Sequence, residues 1–406
     1  MKKKNLKKKI LIGVIVGVLV AVIIIGALLL LDEELKFVLN EDGESYSVLG
    51  SGPYSDTDVV IPDTYKGKPV TKIADRAFSG TNCAKITSIT IPDSVESIGE
   101  WAFAGCTSLT SIEIPDSVTS IGGRAFDGCL SLVSIEIPDS VTSIGKEAFR
   151  DCLSLTSIEI SDSVTSIGDY TFKGCSSLVS IEIPDSVESI GWDAFSGCSS
   201  LTSITIPDSV TSIDSGAFGG CSSLTSIEIP DSVTSIGWNA FSGCSSLTSI
   251  EIPDSVTSIG LDAFSGCSAL TSIDVDENNE HYKSINGDLY SKSGKTLIRY
   301  AIGKKGIAFY IPDSVEYIGD YAFYDCTSLR SIEISDSVTS IGDYAFCGCT
   351  SLTSITIPDS VTSIGYWAFL DCDSLTIYCE AESKPSGWDY SWNPTDCPVV
   401  WGYTGK

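Results

Sequence analysis

The side chains of this 406-residue chain that could do chemistry are 15 cysteines, one histidine and 53 carboxylates. Twelve cysteines hold the same place in a recurring unit: Cys83, Cys106, Cys129, Cys152, Cys175, Cys198, Cys221, Cys244, Cys267, Cys326, Cys349 and Cys372. A zinc site needs ligands in tight clusters, and one Cys per 23 residues with a single His281 supplies none. A column of free thiols therefore reads as small buried hydrophobes. Neighbouring thiols could oxidise, but bridging them would disturb the coil spacing. Cys347 replaces a variable residue and is expected at the surface. Cys379 and Cys397 stand outside the column, where a disulfide is open to them outside the cell.

The carboxylates are also periodic. Glu113, Glu136, Glu159, Glu182, Glu228, Glu251 and Glu333 share one outward strand position, and Thr90, Thr205 and Thr356 fill it elsewhere. With parallel strands ~4.8 Å apart these groups form a row. Like charges so close repel, so the row is either a solvated face that keeps the strands soluble or a ligand face for basic protein segments. Glycoside hydrolysis uses paired carboxylates, but a regular column contains no singular pair. Asp274-x-Asp276-x-Asn278 imitates the start of a calcium loop, yet its sixth position is Asn279 and its twelfth is Ile285. No nucleophile elbow, phosphate loop, zinc motif or dinucleotide fingerprint occurs. The chain reads as a non-enzyme without a cofactor.

Aromatic residues mark the variable positions. Around each Ala-Phe pair stand Trp101, Tyr170, Trp192, Trp238, Tyr321, Tyr344, Tyr366 and Trp367. Exposed aromatics are favoured binding anchors. The alternative is that they cap the convex flank.

The elements that position these groups repeat every 23 residues. A core of Ile-Pro/Ser-Asp-Ser-Val begins at Ile91, Ile114, Ile137, Ile160, Ile183, Ile206, Ile229 and Ile252, and resumes at Ile311, Ile334 and Ile357. Within one unit, Leu109-x-x-Ile112-x-Ile114 alternates as a strand, with Thr110, Ser111 and Glu113 outward. Pro115-Asp116-Ser117 is a turn. Val118-x-x-Ile121 is a second extended piece, broken by Gly122. Ala125-Phe126 is expected in a short helical turn that Gly128 ends. One unit cannot bury enough to fold alone, so the coils must stack.

Residues 274–310 interrupt the period. Asn286-Gly287 and Ser293-Gly294 are hairpin-turn signals there. Asp42-Gly43 marks a further turn near the start, and the tail after residue 376 is rich in Trp and Pro. The expected organisation is a basic segment 1–9, an anchor 10–31, an N-terminal cap 32–59 and repeats 60–273. A β-hairpin island 274–310, repeats 311–376 and a C-terminal cap 377–406 follow.

Ile10–Leu31 carries no charge and, as a helix of ~1.5 Å per residue, would span a bilayer core. No small-x-small cleavage site follows it, so it reads as an uncleaved span. Six lysines precede it and place the N-terminus in the cytoplasm. The Gly13/Gly17 spacing permits helix packing but is ordinary in membrane helices. Taking those six lysines from the formal charge of −28 leaves −34 for the remainder. Such acidity repels phosphate backbones, excludes nucleic acid and favours basic partners.

In Ile-Pro-Asp-Ser-Val…Ile-Gly-x-x-Ala-Phe-x-Gly-Cys-x-x-Leu the sequence resembles the BspA-like leucine-rich repeats (the LRR_5 type) of bacterial surface proteins. Val60–Val70, the Asn279…Tyr282…Asn286–Tyr290 island, and Ile377–Ala381 with Pro398–Gly402 resemble that family's first unit, interruption and final unit. The resemblance covers roughly residues 36–403. It implies a curved solenoid and, in many relatives, adhesion to host or neighbouring-cell proteins. The fold expected is an α/β-type leucine-rich-repeat solenoid of about 12–13 coils. It has a concave parallel sheet and short helical turns opposite, and one transmembrane helix precedes it. The function expected is membrane-anchored, extracellular adhesion or protein binding. The alternative is an envelope-organising protein with no specific ligand.

Overall fold

The computed structural model describes residues 35–50 and 57–405. The apolar run 10–31 lies outside the described residues. Among those described, no helix is long and apolar enough to cross a membrane.

The coils stack through two parallel ladders of short strands, the first of which is regular strand in some coils and merely extended in others. In the first ladder Asp58–Val60 pairs with Ser88–Thr90, Ser134–Glu136 with Ser157–Glu159, and Ser249–Ile252 with Ser272–Val275. Beyond the interruption it runs through Ala308–Tyr310, Ser331–Glu333, Ser354–Ile357, Thr376–Cys379 and Val399–Val400. The second ladder stacks the Ser-Ile pairs, with Ile98 on Ile121, Ile121 on Ile144 and Ile213 on Ile236. The offset is always one repeat, because any slip would turn the isoleucines to solvent.

The interior is a set of columns. Leu132, Ile135, Ile137, Val141, Ile144, Ala148, Phe149 and Cys152 of one coil are all buried. The phenylalanines stack with ring centroids between 5.1 Å (Phe323–Phe346) and 5.9 Å (Phe241–Phe264). Polar side chains link coils as well. Ser140 Oγ donates to the Val118 carbonyl at 2.7 Å and Thr142 Oγ1 to the Thr119 carbonyl at 3.4 Å. The Ser of Asp-Ser-Val is thus an inter-coil clamp in addition to a turn residue.

The expected helical turn around Ala-Phe does not form, and the α/β-type description gives way to an all-β solenoid. Among the described residues the helical content is the 3-10 turn Gly80–Asn82. The reason is local. Arg124 (φ 57°) and Gly128 (φ 70°) are both left-handed, leaving three residues between them. That is too few to nucleate a helix. The corner amides turn outward instead: Phe126 N donates to the Ala148 carbonyl at 2.8 Å and Gly128 N to the Arg150 carbonyl at 2.8 Å.

Two cysteine expectations also need correction. Cys347 is buried, 4% exposed. Cys379 and Cys397 are free thiols and do not form the disulfide considered for them. Cys379 stands in the strand ladder opposite Ile357. Cys397 extends the thiol column, its Sγ 3.3 Å from the Cys372 carbonyl.

The interruption is an antiparallel meander of Tyr282–Ile285, Asp288–Ser291 and Thr296–Arg299. Asn286 (φ 54°) and Gly287 (φ 82°) both adopt the left-handed conformation a tight hairpin requires. Thr296–Arg299 then rejoins the solenoid beside Tyr317–Ile318. Buried Tyr300 stacks on Phe323 at 5.4 Å, in the place of a phenylalanine. Asn279 ties the meander down. Fully buried, it donates to the Pro253 and Val256 carbonyls (2.8 and 3.0 Å) and accepts from His281 N and Tyr282 N (both 2.8 Å).

The ends are closed differently. The hairpin of Lys36–Leu39 and Tyr46–Gly50 covers the start, with Tyr46–Gly50 running parallel to Lys68–Ile73. At the other end Trp388 and Trp392 are buried; Trp388 Nε1 donates to the Val361 carbonyl at 3.1 Å.

Asn279→Ala is expected to cost about 2–4 kcal/mol, because it strands two buried carbonyls and two amides. Urea denaturation measures this, and a loss below about 1 kcal/mol would show that the contacts carry little. A thiol reagent should find essentially no fast-reacting cysteine in the folded chain and all 15 after unfolding. A fast thiol in the native protein would contradict the burial.

Candidate binding surfaces

The first ladder presents its outward side chains as one continuous face. Glu113, Glu136, Glu159, Glu182, Glu228, Glu251 and Glu333 are all exposed on it. Glu136 stands opposite Glu159, and Glu251 opposite Asp274, in direct register. Glu333 lies between Tyr310 and Thr356. Ile and Val inward leave these positions no choice but to face solvent.

A second acidic row runs beside the first. Asp116, Asp139 and Asp162, the aspartates of the Pro/Ser-Asp-Ser turn, join Glu136 and Glu159 around a groove of about 450 Å³. Glu228, Asp231, Glu251 and Asp276 line another of about 440 Å³. No Lys or Arg lines either groove. In the sequence these aspartates read as turn formers only. Their three-residue offset from the glutamates was the signal, but only the bend at proline shows that both rows share one groove. Residues 174–282 contain no Lys or Arg at all, so nothing in that stretch neutralises the face.

The aromatics divide by position. Those immediately before Ala-Phe lie in the left-handed region: Trp101 (φ 59°), Tyr170 (φ 58°), Tyr321 (φ 56°), Tyr344 (φ 54°) and Trp367 (φ 52°). They are half-buried and packed on the flank. Trp101 is sandwiched between the Arg76 and Arg124 guanidinium groups, 5.7 and 4.3 Å from its ring. Tyr170 sits between the Lys146 and Lys173 ammonium groups, each at 5.0 Å. Tyr321 stacks on Tyr344 at 4.8 Å, and Tyr344 meets Trp367 edge-on at 5.7 Å. Trp192 and Trp238 stand one residue earlier and are 56% and 63% exposed. Of the two roles open to this set, these two residues have the exposure of contact residues, and those immediately before Ala-Phe pack as caps.

An ion-pair network backs the flank. Arg124 grips Glu147 with two hydrogen bonds of 2.8 and 2.7 Å, and Arg150 adds a third at 2.9 Å. Burial alone would raise the Glu147 carboxyl, but the hydrogen bonds and charges of Arg124 and Arg150 outweigh it and hold it below its usual value. Among the described residues no group of His, Cys, Asp and Glu is arranged to hold a metal ion.

A lowered folded-state pKa means that Glu147 contributes stability above its unfolded value of 4.5 and loses it as the pH falls. Glu147→Gln should therefore melt below the native chain at pH 7, with the gap narrowing under acid. A gap independent of pH would show that packing, not ionisation, is responsible.

Residues 71–201, 188–305 and 303–382 match the family model described as the BspA type leucine rich repeat region, in six copies. A leucine-rich repeat protein from Bacteroides ovatus is similar in structure, with 32% identity over 91% of this chain and 98% of its own, and a TM-score of 0.65. A leucine rich cell surface protein from Faecalibacterium prausnitzii shares 31% identity over 92% of this chain and 94% of its own, with a TM-score of 0.51. No curated protein matches the chain. With the family model spanning most of the described solenoid and a full-length structural counterpart above 30% identity, the chain belongs to the BspA type leucine-rich repeat family of bacterial surface proteins.

Proposed function

We propose that this chain is a membrane-anchored surface protein that binds other proteins and has no catalytic role. The observation that carries the reading is the continuous exposed face with its two acidic rows, Glu113–Glu251 and the neighbouring turn aspartates. A solenoid that only needed solubility would be served by charges of mixed sign. Rows of a single sign focus the potential and attract basic segments. Anchoring rests on the uncharged stretch 10–31 and the lysines before it. With that orientation the repeats face outward, where protein partners and cell-surface ligands are encountered. The regular columns contain no singular nucleophile–base or acid–base pair, which supports a binding role over an enzymatic one.

The test is saturable binding of the purified chain to extracellular-matrix, mucin and cell-wall ligands at low and physiological salt. Replacing all seven ladder glutamates by glutamine should weaken a basic ligand by about tenfold or more. Raising the salt should weaken the native chain in the same direction. Binding unchanged by both treatments would move the contact to the exposed Trp192 and Trp238. No saturable ligand for a folded chain would move the structural, envelope-organising role to first place.

A further inference from the structure

The last coils carry a groove of a different character from the acidic ladder. It is open, about 800 Å³, and runs along the second-ladder corners. Tyr317, Asp320, Asp343, Tyr366, Asp389 and Tyr390 supply its chemistry. Tyr390 is 86% exposed, which leaves its ring face free. No Lys or Arg lines the groove. Lys384 approaches one end, and its Nζ donates to the Asp389 carbonyl at 2.9 Å.

The carboxylates are held in place. Asp320 Oδ1 accepts from the Tyr317 hydroxyl at 2.6 Å and from Asp343 N at 2.9 Å. Asp343 Oδ1 accepts from Tyr366 N at 2.7 Å. Asp389 Oδ1 accepts from Ser391 N and Oγ, both at 2.8 Å. In each case these bonds take one oxygen and leave Oδ2 for another donor. Fixed carboxylates beside aromatic faces attract a cation and repel an anion.

Elsewhere the chain holds a lysine on a carboxylate and an aromatic ring together. Asp169-Tyr170 repeats the Asp-Tyr pairs of Asp320-Tyr321 and Asp343-Tyr344 at the same place in the coil. There Lys146 Nζ lies 3.1 Å from Asp169 Oδ2 and 5.0 Å from the centre of the Tyr170 ring. Lys173 Nζ approaches the same ring at 5.0 Å and Asp193 Oδ2 at 2.7 Å. In the last coils the positions equivalent to Lys146 are Asp320, Asp343 and Tyr366, so no lysine at that coil position fills this corner, and Lys384 reaches its Asp389 end alone.

We propose that the C-terminal corner groove seats the ammonium group of a lysine side chain on a protein partner. The alkyl stem would lie on the Tyr366 and Tyr390 rings, and the ammonium would donate to the free oxygens of Asp320, Asp343 and Asp389. This goes beyond the adhesion reading, because it assigns a second site away from the glutamate ladder. A protein lysine is favoured over an amino sugar because the template within the chain is itself a lysine, whose stem spans ring and carboxylate together.

The experiment is calorimetric titration of the full chain with a short capped peptide carrying one lysine, and with the same peptide acetylated at that lysine. Glucosamine is titrated in parallel. The lysine peptide should bind roughly fivefold or more tightly than its acetylated form. Asp320→Asn with Asp343→Asn keeps the oxygens that hold the corner but removes the charge, and Tyr390→Ala removes an exposed ring; each should weaken binding by roughly fivefold or more. The variant with all seven ladder glutamates changed to glutamine should bind this peptide as the native chain does, which separates the groove from the adhesive face. Equal binding of the acetylated peptide, unchanged binding in the groove variants, or preference for glucosamine would each overturn the proposal.

Discussion

The structure depends on one repeated hydrogen bond, from the amide of a corner phenylalanine to a carbonyl one coil ahead, in most coils that of the alanine. Phe103 to Ala125, Phe195 to Ala217 and Phe323 to Ala345 are separated by 2.7, 2.8 and 2.8 Å. This bond replaces the intrahelical bond that an Ala-Phe turn would otherwise make. It also fixes the axial rise, because the phenylalanine rings above and below can then stack face to face. Burial of the rings and satisfaction of the corner amides are therefore the same event, and neither is available to a single coil.

Charge is handled by placement. Acidic side chains occupy the outward face of the first ladder and the turns, where solvent screens them. The few cations lie in the N-terminal coils and from the meander onward, and in the N-terminal coils they are used locally, on Trp101, Tyr170 and Glu147. The middle coils have no such partners, and their aromatic residues, Trp192 and Trp238, project instead of packing. The solenoid is regular in backbone but divided along its length in surface chemistry: a cation–aromatic flank, a bare acidic middle and an aromatic–carboxylate end.

The meander is where regularity is broken at least cost. Buried Asn279 satisfies both carbonyls and amides at the break. Arg299 reaches the Tyr321 carbonyl at 2.6 Å across the junction. The core divides there, with Leu289 closing one cluster and Tyr290 opening the next. Polar residues complete a junction where the phenylalanine column cannot continue unbroken.

The period, the inward Leu, Ile, Val, Ala, Phe and Cys columns, and the outward glutamates were legible in the sequence. Period-two alternation and a 23-residue recurrence leave those side chains only one consistent packing. The sequence could not show that the corner is non-helical. Left-handed residues such as Arg124 and Trp101 are not ones that favour that conformation, and they adopt it because the neighbouring coil supplies their hydrogen bonds. The burial of Cys347, the continuation of the thiol column by Cys397, and the joining of turn aspartates to the glutamate row were equally out of reach. Each depends on which coil lies against which, a distance set by backbone bonds between residues 22 or more apart. Tertiary structure also decided which aromatics are caps and which are exposed, because one residue's shift along the same motif moves a ring from a packed flank into solvent.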